Sequence, residues 1–261
     1  FQPEWSPDGT LYFVSDRSGW WNLYRYAHGN IGAIFELAAE FGSPHWGFGI
    51  CNYGFRSADE IICTYSDRAT DCLASIEVNS GKLTIIPTAY TSLGGIRVDE
   101  GTVYMLAASP TDFSCIVKLT LDSGQQQVIK RCNELELEQG YASIPEAIEY
   151  PTEDGLTAHG FYYPPLNKDF AAPATEKPPL LVKVHGGPTS ATDNSLSLQI
   201  QYWTSRGVAI LDVNYGGSTG YGRDYRSRLN GQWGVVDVND TVNGANFLIK
   251  RGAVDADRLA I

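Results

Sequence analysis

A histidine followed by two glycines stands directly after an apolar run of the chain. The run is Leu180–Val184, and the next four residues are His185, Gly186, Gly187 and Pro188. Adjacent glycines let the backbone approach a ligand closely, with N–H groups free to point at it. In one large class of hydrolases an HGG loop after a strand supplies a donor of the oxyanion hole, and each such donor stabilises the developing charge by about 3–4 kcal/mol. The pattern therefore predicts an oxyanion- and substrate-binding loop.

A second glycine-rich segment, Gly216-Gly-Ser-Thr-Gly220, literally matches the G-x-S-x-G pattern of a nucleophilic serine. We do not predict Ser218 to be a nucleophile. In the class of hydrolases that carries this pattern, the catalytic acid and the histidine follow the serine along the chain. The last histidine of this sequence is His185. Ser218 is therefore expected to belong to a loop near the site and to have no direct role in bond cleavage.

The count of strands leads to the same interpretation. If the run before His185 is the third strand of the fold, then Val208–Val213 is the fourth and Arg258–Ile261 is the fifth. The nucleophile turn follows the fifth strand, so the catalytic serine, acid and histidine are expected after Ile261, and none within this chain. The residues after the fourth strand are predicted to form the rim of the site: Tyr215, Gly216, Gly217 and Ser218.

Two aspartates, Asp237 and Asp240, begin a predicted helix over 237–251. Carboxylates favour the positive end of a helix dipole, so both are predicted to cap this helix. Its predicted core-facing stripe consists of Val238, Val242, Ala245 and Ile249. Metal-ligand spacing is absent, so we expect no metal and no cofactor.

Residues 146–261 have the pattern of an open α/β sheet. Two runs, Glu146–Tyr150 and Thr157–Tyr163, are predicted to form a hairpin. After a proline-rich linker come strand, helix, strand, helix and strand, with helices predicted near 195–206, 221–229 and 237–251. Right-handed crossovers would make these later strands parallel neighbours.

Residues 1–145 show strand after strand with a loose repeat. Val78-Asn-Ser-Gly81 and Leu121-Asp-Ser-Gly124 stand 43 residues apart, and each joins two apolar runs. Four-stranded units of about 40–50 residues are typical of propeller blades, and about three fit here. A propeller closes with at least about four blades, so further blades are expected before Phe1. An ordinary β-sandwich with accidental spacing is the alternative.

Composition and charge exclude several classes of function. Of the 261 residues, 43% are hydrophobic and 19% charged, and the net charge is −11. Without a basic stripe, nucleic acid is not an expected partner. The opening FQPEWSPDG does not resemble a signal peptide, and no apolar stretch approaches the roughly 20 residues of a membrane span. Five scattered cysteines, an odd number, favour reduced thiols and a cytoplasmic location.

Taken together, these motifs resemble the prolyl oligopeptidase family, in particular its acylaminoacyl-peptidase and dipeptidyl-aminopeptidase branch. The hydrolase motifs are His185-Gly-Gly-Pro188, Asn214-Tyr-Gly-Gly-Ser-Thr-Gly-Tyr-Gly222, Trp233-Gly-Val-Val-Asp-Val-Asn-Asp240 and Asp257-Arg-Leu-Ala-Ile261. The blade motifs are Trp5-Ser-Pro-Asp-Gly9 and Phe13-Val-Ser-Asp-Arg17. The resemblance implies the C-terminal blades of a β-propeller over 1–145. It also implies the N-terminal part of an α/β-hydrolase domain over 146–261.

The resemblance also implies a function. The parent protein would be a serine peptidase that hydrolyses short peptides, at blocked or free N-terminal residues, by acyl-enzyme chemistry. Backbone N–H groups of Gly186 or Gly187 would enter the oxyanion hole. Family members usually carry arginine where this chain has Gly216, so one side-chain anchor is missing. A carboxylesterase or lipase-like hydrolase and a non-catalytic propeller module are the alternatives.

Two properties are expected of the 261 residues on their own. They lack the predicted triad, so they should be inactive as a peptidase. They should also self-associate through the open propeller or through a sheet edge, because an unpaired edge strand invites pairing with another chain.

Overall fold

The computed structural model describes residues 1–44, 48–135, 137–138, 140–187 and 189–261. These residues form two compact units. The first unit contains residues 1–109, 113–133 and 219–224. The second contains residues 110–112, 134–218 and 225–261.

The first unit contains three antiparallel sheets of four strands each, and within each sheet the strands pair in chain order. The strands of the first sheet are β1 (Glu4–Trp5), β2 (Leu11–Ser15), β3 (Asn22–Ala27) and β4 (Asn30–Phe35). Those of the second are β5 (Tyr53–Ser57), β6 (Glu60–Asp67), β7 (Thr70–Glu77) and β8 (Lys82–Ile85). Those of the third are β9 (Ser92–Asp99), β10 (Thr102–Ala108), β11 (Cys115–Thr120) and β12 (Gln125–Arg131).

The repeat seen in the sequence is confirmed by two matching turns. Gly81 lies between β7 and β8 with φ 67°, and Gly124 lies between β11 and β12 with φ 66°. Each N–H closes its turn, on the carbonyl of Glu77 at 2.8 Å and of Thr120 at 2.9 Å respectively. Both backbones are left-handed, which glycine adopts without steric cost. Three successive four-stranded meanders are the form of propeller blades and differ from the two facing sheets of a sandwich.

Two hydrophobic cores stabilise the first unit. One contains residues of the first and second sheets, among them Val14, Ile61 and Cys63. The other contains residues of the second and third sheets, among them Ile62 and Cys115. Cys63 and Cys115 are buried, as small apolar thiols in a core usually are. Burial raises the pKa of the Cys63 thiol, which keeps it uncharged and unreactive.

The second unit is built around one mixed five-stranded sheet. Its strands are β13 (Glu146–Pro151), β14 (Thr157–Tyr163), β15 (Leu180–Val184), β16 (Ala209–Asn214) and β17 (Leu259–Ala260). Their order in the sheet is β13-β14-β16-β15-β17. The hairpin of β13 and β14 is confirmed, with a 3₁₀ turn at Glu153–Gly155 between its strands. The parallel arrangement is also confirmed, since β15 pairs in parallel with β16 and β17.

The described residues contain three α-helices. Helix α1 (Leu198–Thr204) lies between β15 and β16 in the chain, and α2 (Gly222–Ser227) and α3 (Val236–Lys250) lie between β16 and β17. The side chain of Ser197 caps α1 by accepting from the N–H of Ile200. Gly207, with φ 84°, follows this helix and allows the chain to turn into β16. Throughout the described residues, no helix has the length and hydropathy needed to cross a membrane.

The predicted core-facing stripe of α3 is wrong in its first half. Val238 and Val242 are 51% and 52% exposed. The helix buries a different set of residues, which are Asp240, Thr241, Gly244 and Leu248. An added Cβ at Gly244 would lie 2.8 Å from Cζ of Tyr150, so α3 can lie close to β13 only because this position has no side chain. Close approach at Gly244 and the hydrogen bonds of Asp240, together with the apolar Leu248, select the buried face.

Candidate functional site

The predicted oxyanion-binding residues follow the carboxyl end of β15. Gly186 is exposed, and a Cβ built there would meet nothing within 4 Å, so the space beside its backbone is open. Gly187 has φ 77°, a left-handed backbone that glycine adopts readily. Pro188 lies outside the described residues. The loop thus has open space at Gly186 and a backbone conformation at Gly187 that favours glycine.

The structure brings His185 and Ser218 together, although they are 33 residues apart. Nε2 of His185 lies 2.7 Å from Oγ of Ser218, and Ser218 is fully buried. The two residues meet because β15 and β16 are parallel neighbours, with Val184 opposite Val213. Loops at the carboxyl ends of adjacent parallel strands converge at one edge of the sheet. The sequence motifs predicted both loops but not this hydrogen bond.

The hydrogen bonds of His185 define which nitrogen carries its proton. Nδ1 faces the carbonyl oxygen of Gly186 at 3.4 Å, and a carbonyl can only accept. We therefore assign the proton to Nδ1, so that Nε2 accepts from the hydroxyl of Ser218. Burial lowers the pKa of His185 below its ordinary value of 6.5, so the imidazole is neutral at pH 7.

Tyr215 contacts the same loop through both its ring and its hydroxyl. Its ring stacks on that of His185, with centroids 4.6 Å apart and an interplanar angle of 17°. Its hydroxyl donates to the carbonyl oxygens of His185 at 3.2 Å and Gly187 at 3.3 Å. Burial raises the pKa of Tyr215, so the hydroxyl stays protonated and able to donate.

A buried network of hydrogen bonds fixes Thr192, which follows the loop, to strand β16. The backbone N–H of Thr192 donates to Oδ1 of Asn214 at 2.8 Å, and Nδ2 of Asn214 donates to the carbonyl of Thr192 at 3.1 Å. The hydroxyl of Thr192 donates to Oδ2 of Asp212 at 2.7 Å, which also accepts from Nζ of Lys183 at 2.5 Å. We did not predict this network. Its signal was the pair of polar residues, Asp212 and Asn214, on one face of an otherwise apolar strand.

Asp240 has a different role from the predicted helix cap. It lies one turn inside α3 and is 2% exposed. Its Oδ2 accepts from the N–H of Gly216 at 2.7 Å, and its Oδ1 accepts from the hydroxyl of Thr152. Burial raises the pKa of Asp240, and these two hydrogen bonds oppose the rise. Asp237 does stay at the helix start, where its Oδ1 accepts from the N–H of Gly234 at 2.7 Å.

The segment predicted as the rim of the site, 215–218, is buried along its whole length. A Cβ at Gly217, whose φ is 122°, would lie 2.8 Å from Cβ of Leu229. The N–H of Ser218 donates to the carbonyl of Tyr215 at 2.9 Å, which closes a turn. This segment therefore forms a rigid wall behind the HGG loop. Within the described ranges, no group of three or more histidine, cysteine or acidic side chains could hold a metal ion.

The neutral state of His185 has a consequence for stability. A base whose pKa is lower in the folded state binds fewer protons folded than unfolded, so its contribution to stability falls as pH drops through about 6.5. The nearby charges have opposite effects, with Asp212 raising and Lys183 lowering the pKa. We expect the melting temperature to fall more between about pH 8 and about pH 5.5 in the wild type than in His185→Phe. Scanning calorimetry at both pH values measures this, and equal falls would contradict it.

Comparison with protein families finds a match in the C-terminal part of the chain. Residues 194–261 match the model of the prolyl oligopeptidase family. Among curated relatives, acylamino-acid-releasing enzyme 2 of Oryza sativa subsp. japonica is 27% identical over 221 residues. The match covers 77% of this chain and 28% of that enzyme.

Solved structures resemble the whole chain. A puromycin hydrolase is 36% identical with a TM-score of 0.92, and the match covers 99% of this chain and 39% of that protein. A puromycin-hydrolyzing peptidase of Mycobacterium tuberculosis is 33% identical with a TM-score of 0.93, covering 99% and 40% respectively. The chain thus spans about two fifths of the length of these two structures. It spans 28% of the length of the curated rice enzyme.

Proposed function

We propose that the protein containing this chain is a serine peptidase of the prolyl oligopeptidase family, whose model matches residues 194–261. It would cleave short peptides near their N-terminus, at blocked or free residues, through an acyl-enzyme intermediate. The observation that carries the proposal is the open Gly186 backbone at the end of β15, held by His185 and Tyr215. Such rigidly aimed N–H groups are what acyl transfer requires.

We propose residues 1–145 as the C-terminal blades of a β-propeller and 146–261 as the N-terminal part of an α/β-hydrolase domain. Three four-stranded meanders support the first assignment. The mixed sheet supports the second, since β15 and β16 are its third and fourth strands, as the position of the HGG loop requires. The nucleophile turn would then follow β17, with the serine, acid and histidine outside residues 1–261.

Within the site, Gly186 and Gly187 would supply oxyanion-hole donors from the backbone. Tyr215, Gly216, Gly217 and Ser218 would hold that loop from behind. We propose a peptide as the substrate. A cytoplasmic location is supported by the cysteines, since all five are free thiols in the structure.

The proposal is tested on the full-length protein that contains this chain. We expect hydrolysis of aminoacyl and acylaminoacyl p-nitroanilides, with loss of activity after covalent labelling by a fluorophosphonate. Puromycin should be included among the test compounds, because two structures more than 30% identical to this chain are named for its hydrolysis. Turnover of p-nitrophenyl esters alone would favour the esterase alternative. The absence of both turnover and labelling would favour a non-catalytic module.

A further inference from the structure

Ser218 carries a hydroxyl inside the second unit, in the segment that follows β16. Its side chain is fully buried, and its Oγ is hydrogen-bonded to Nε2 of His185 at 2.7 Å. A serine and a histidine at this distance have the geometry of a nucleophile and its general base. The pair therefore needs an explanation, whether catalytic or structural.

Two observations exclude the catalytic explanation. Substrate cannot reach Oγ of Ser218, because that residue is fully buried and its backbone is fixed in the turn closed on Tyr215. The second nitrogen of His185 faces the neutral carbonyl of Gly186, whereas a catalytic base is oriented by a carboxylate. The hydroxyl of Ser218 therefore acts on His185 and not on a substrate.

The consequence for the loop follows from the planarity of the peptide bond. In a trans peptide the carbonyl and the following N–H point in opposite directions. The carbonyl of His185 points to the Tyr215 hydroxyl, so the N–H of Gly186 points away from Tyr215. The carbonyl of Gly186 faces Nδ1 of His185, so the N–H of Gly187 points away from the imidazole. The directions of both N–H groups are therefore set by Tyr215 and His185.

Ser218 decides whether His185 can fulfil this role. Nδ1 can donate to the Gly186 carbonyl only when it carries the proton, which leaves Nε2 as an acceptor. The Ser218 hydroxyl is the donor that this tautomer needs at Nε2. Burial lowers the pKa of His185, which keeps the imidazole neutral and makes the choice of tautomer decisive.

We propose that Ser218 is a positioning residue of the oxyanion hole. It fixes the tautomer and orientation of His185, and His185 together with Tyr215 aims the N–H groups of Gly187 and Gly186. The inference rests on the proposed peptidase function. Loss of one oxyanion-hole donor lowers kcat by about 10²–10³-fold. A donor that is present but poorly aimed should cost less, about 10–100-fold in kcat.

The experiment uses Ser218→Ala in the full-length protein, with an aminoacyl p-nitroanilide as substrate. We expect kcat to fall about 10–100-fold while KM changes less than about threefold. Fluorophosphonate labelling should reach the wild-type stoichiometry at a lower rate. In a His185→Phe background the same substitution should change kcat less than about threefold, because two residues that act through one interaction are not additive.

Ser143→Ala is the matched control. Ser143 is also buried, and its hydroxyl donates to the carbonyl of Pro164 at 2.6 Å in the same unit. Its loss should lower stability without lowering kcat. Tyr215→Phe is a second variant, whose expected loss of kcat without a change in KM does not depend on how Ser218→Ala folds.

The outcomes separate the two proposals. An unchanged kcat in Ser218→Ala, or a change confined to KM, would overturn the positioning role of Ser218 while leaving the peptidase function intact, and an unchanged kcat in Tyr215→Phe would overturn the part assigned to Tyr215. Complete loss of labelling in Ser218→Ala, with the probe found on Ser218 in the wild type, would make Ser218 the nucleophile and also overturn it. A wild type that is neither labelled nor active would refute the peptidase function itself, and the positioning role with it.

Discussion

We expect no covalent labelling when the 261-residue chain is incubated with a fluorophosphonate, and turnover at least about 10⁶-fold below that of the full-length protein. The Ser–His pair that the structure shows, Ser218 and His185, is inaccessible because Ser218 is fully buried. Loss of one triad member alone lowers turnover to the level left by binding and the oxyanion hole.

Gel fluorescence and intact mass measure this labelling directly, with the labelled full-length protein as the positive control. Circular dichroism should show that the 261-residue chain is folded under the same conditions, so that an unlabelled result reflects the site and not an unfolded chain. A probe adduct located on Ser218 by peptide mapping would contradict both this prediction and the positioning role.

The second large effect is expected at Gly160, in the middle of β14. A Cβ there would lie 2.8 Å from the carbonyl oxygen of Asp212 and 3.4 Å from Cα of Val213. These are backbone atoms of β16, which cannot rotate away as a side chain can. Gly160→Val should therefore destabilise the sheet by about 3 kcal/mol or more and lower the melting temperature by about 10 °C.

Gly32→Val is the matched control for this substitution. Gly32 also lies within a strand, β4, and a Cβ there would meet nothing within 4 Å. Its replacement should change the melting temperature by less than about 2 °C, since surface substitutions usually cost within about 0.5 kcal/mol. Scanning calorimetry compares the two variants, and similar effects would show that strand propensity rather than the backbone contact at Gly160 is responsible.

Local sequence patterns determined most of the fold. Apolar runs bounded by glycine-containing turns predicted the strands, and the matching turns at Gly81 and Gly124 predicted the repeat. The order of strands and helices after residue 146 predicted the parallel pairing of β15 with its neighbours. These features follow from nearby residues, because turn conformation and strand formation depend mainly on short-range backbone and solvent effects.

The face of α3 shows where local patterns fail. Hydrophobicity predicted that Val238 and Val242 point to the core, but both are half exposed. The helix instead buries Asp240, whose carboxylate is satisfied by Gly216 and Thr152 from other parts of the chain. A polar side chain can be buried when its partners are in place, and the sequence does not reveal those partners.

The sequence by itself determined where the HGG loop lies and predicted that Ser218 is not the nucleophile, because motif spacing and chain order depend only on residue positions. Only the tertiary structure decided what holds the loop: Ser218 on His185, Tyr215 on two carbonyls, and Asn214 on Thr192. Each of these contacts joins residues 22 or more positions apart. Their geometry exists only once β15 and β16 pair in parallel and bring their carboxyl ends to the same edge of the sheet.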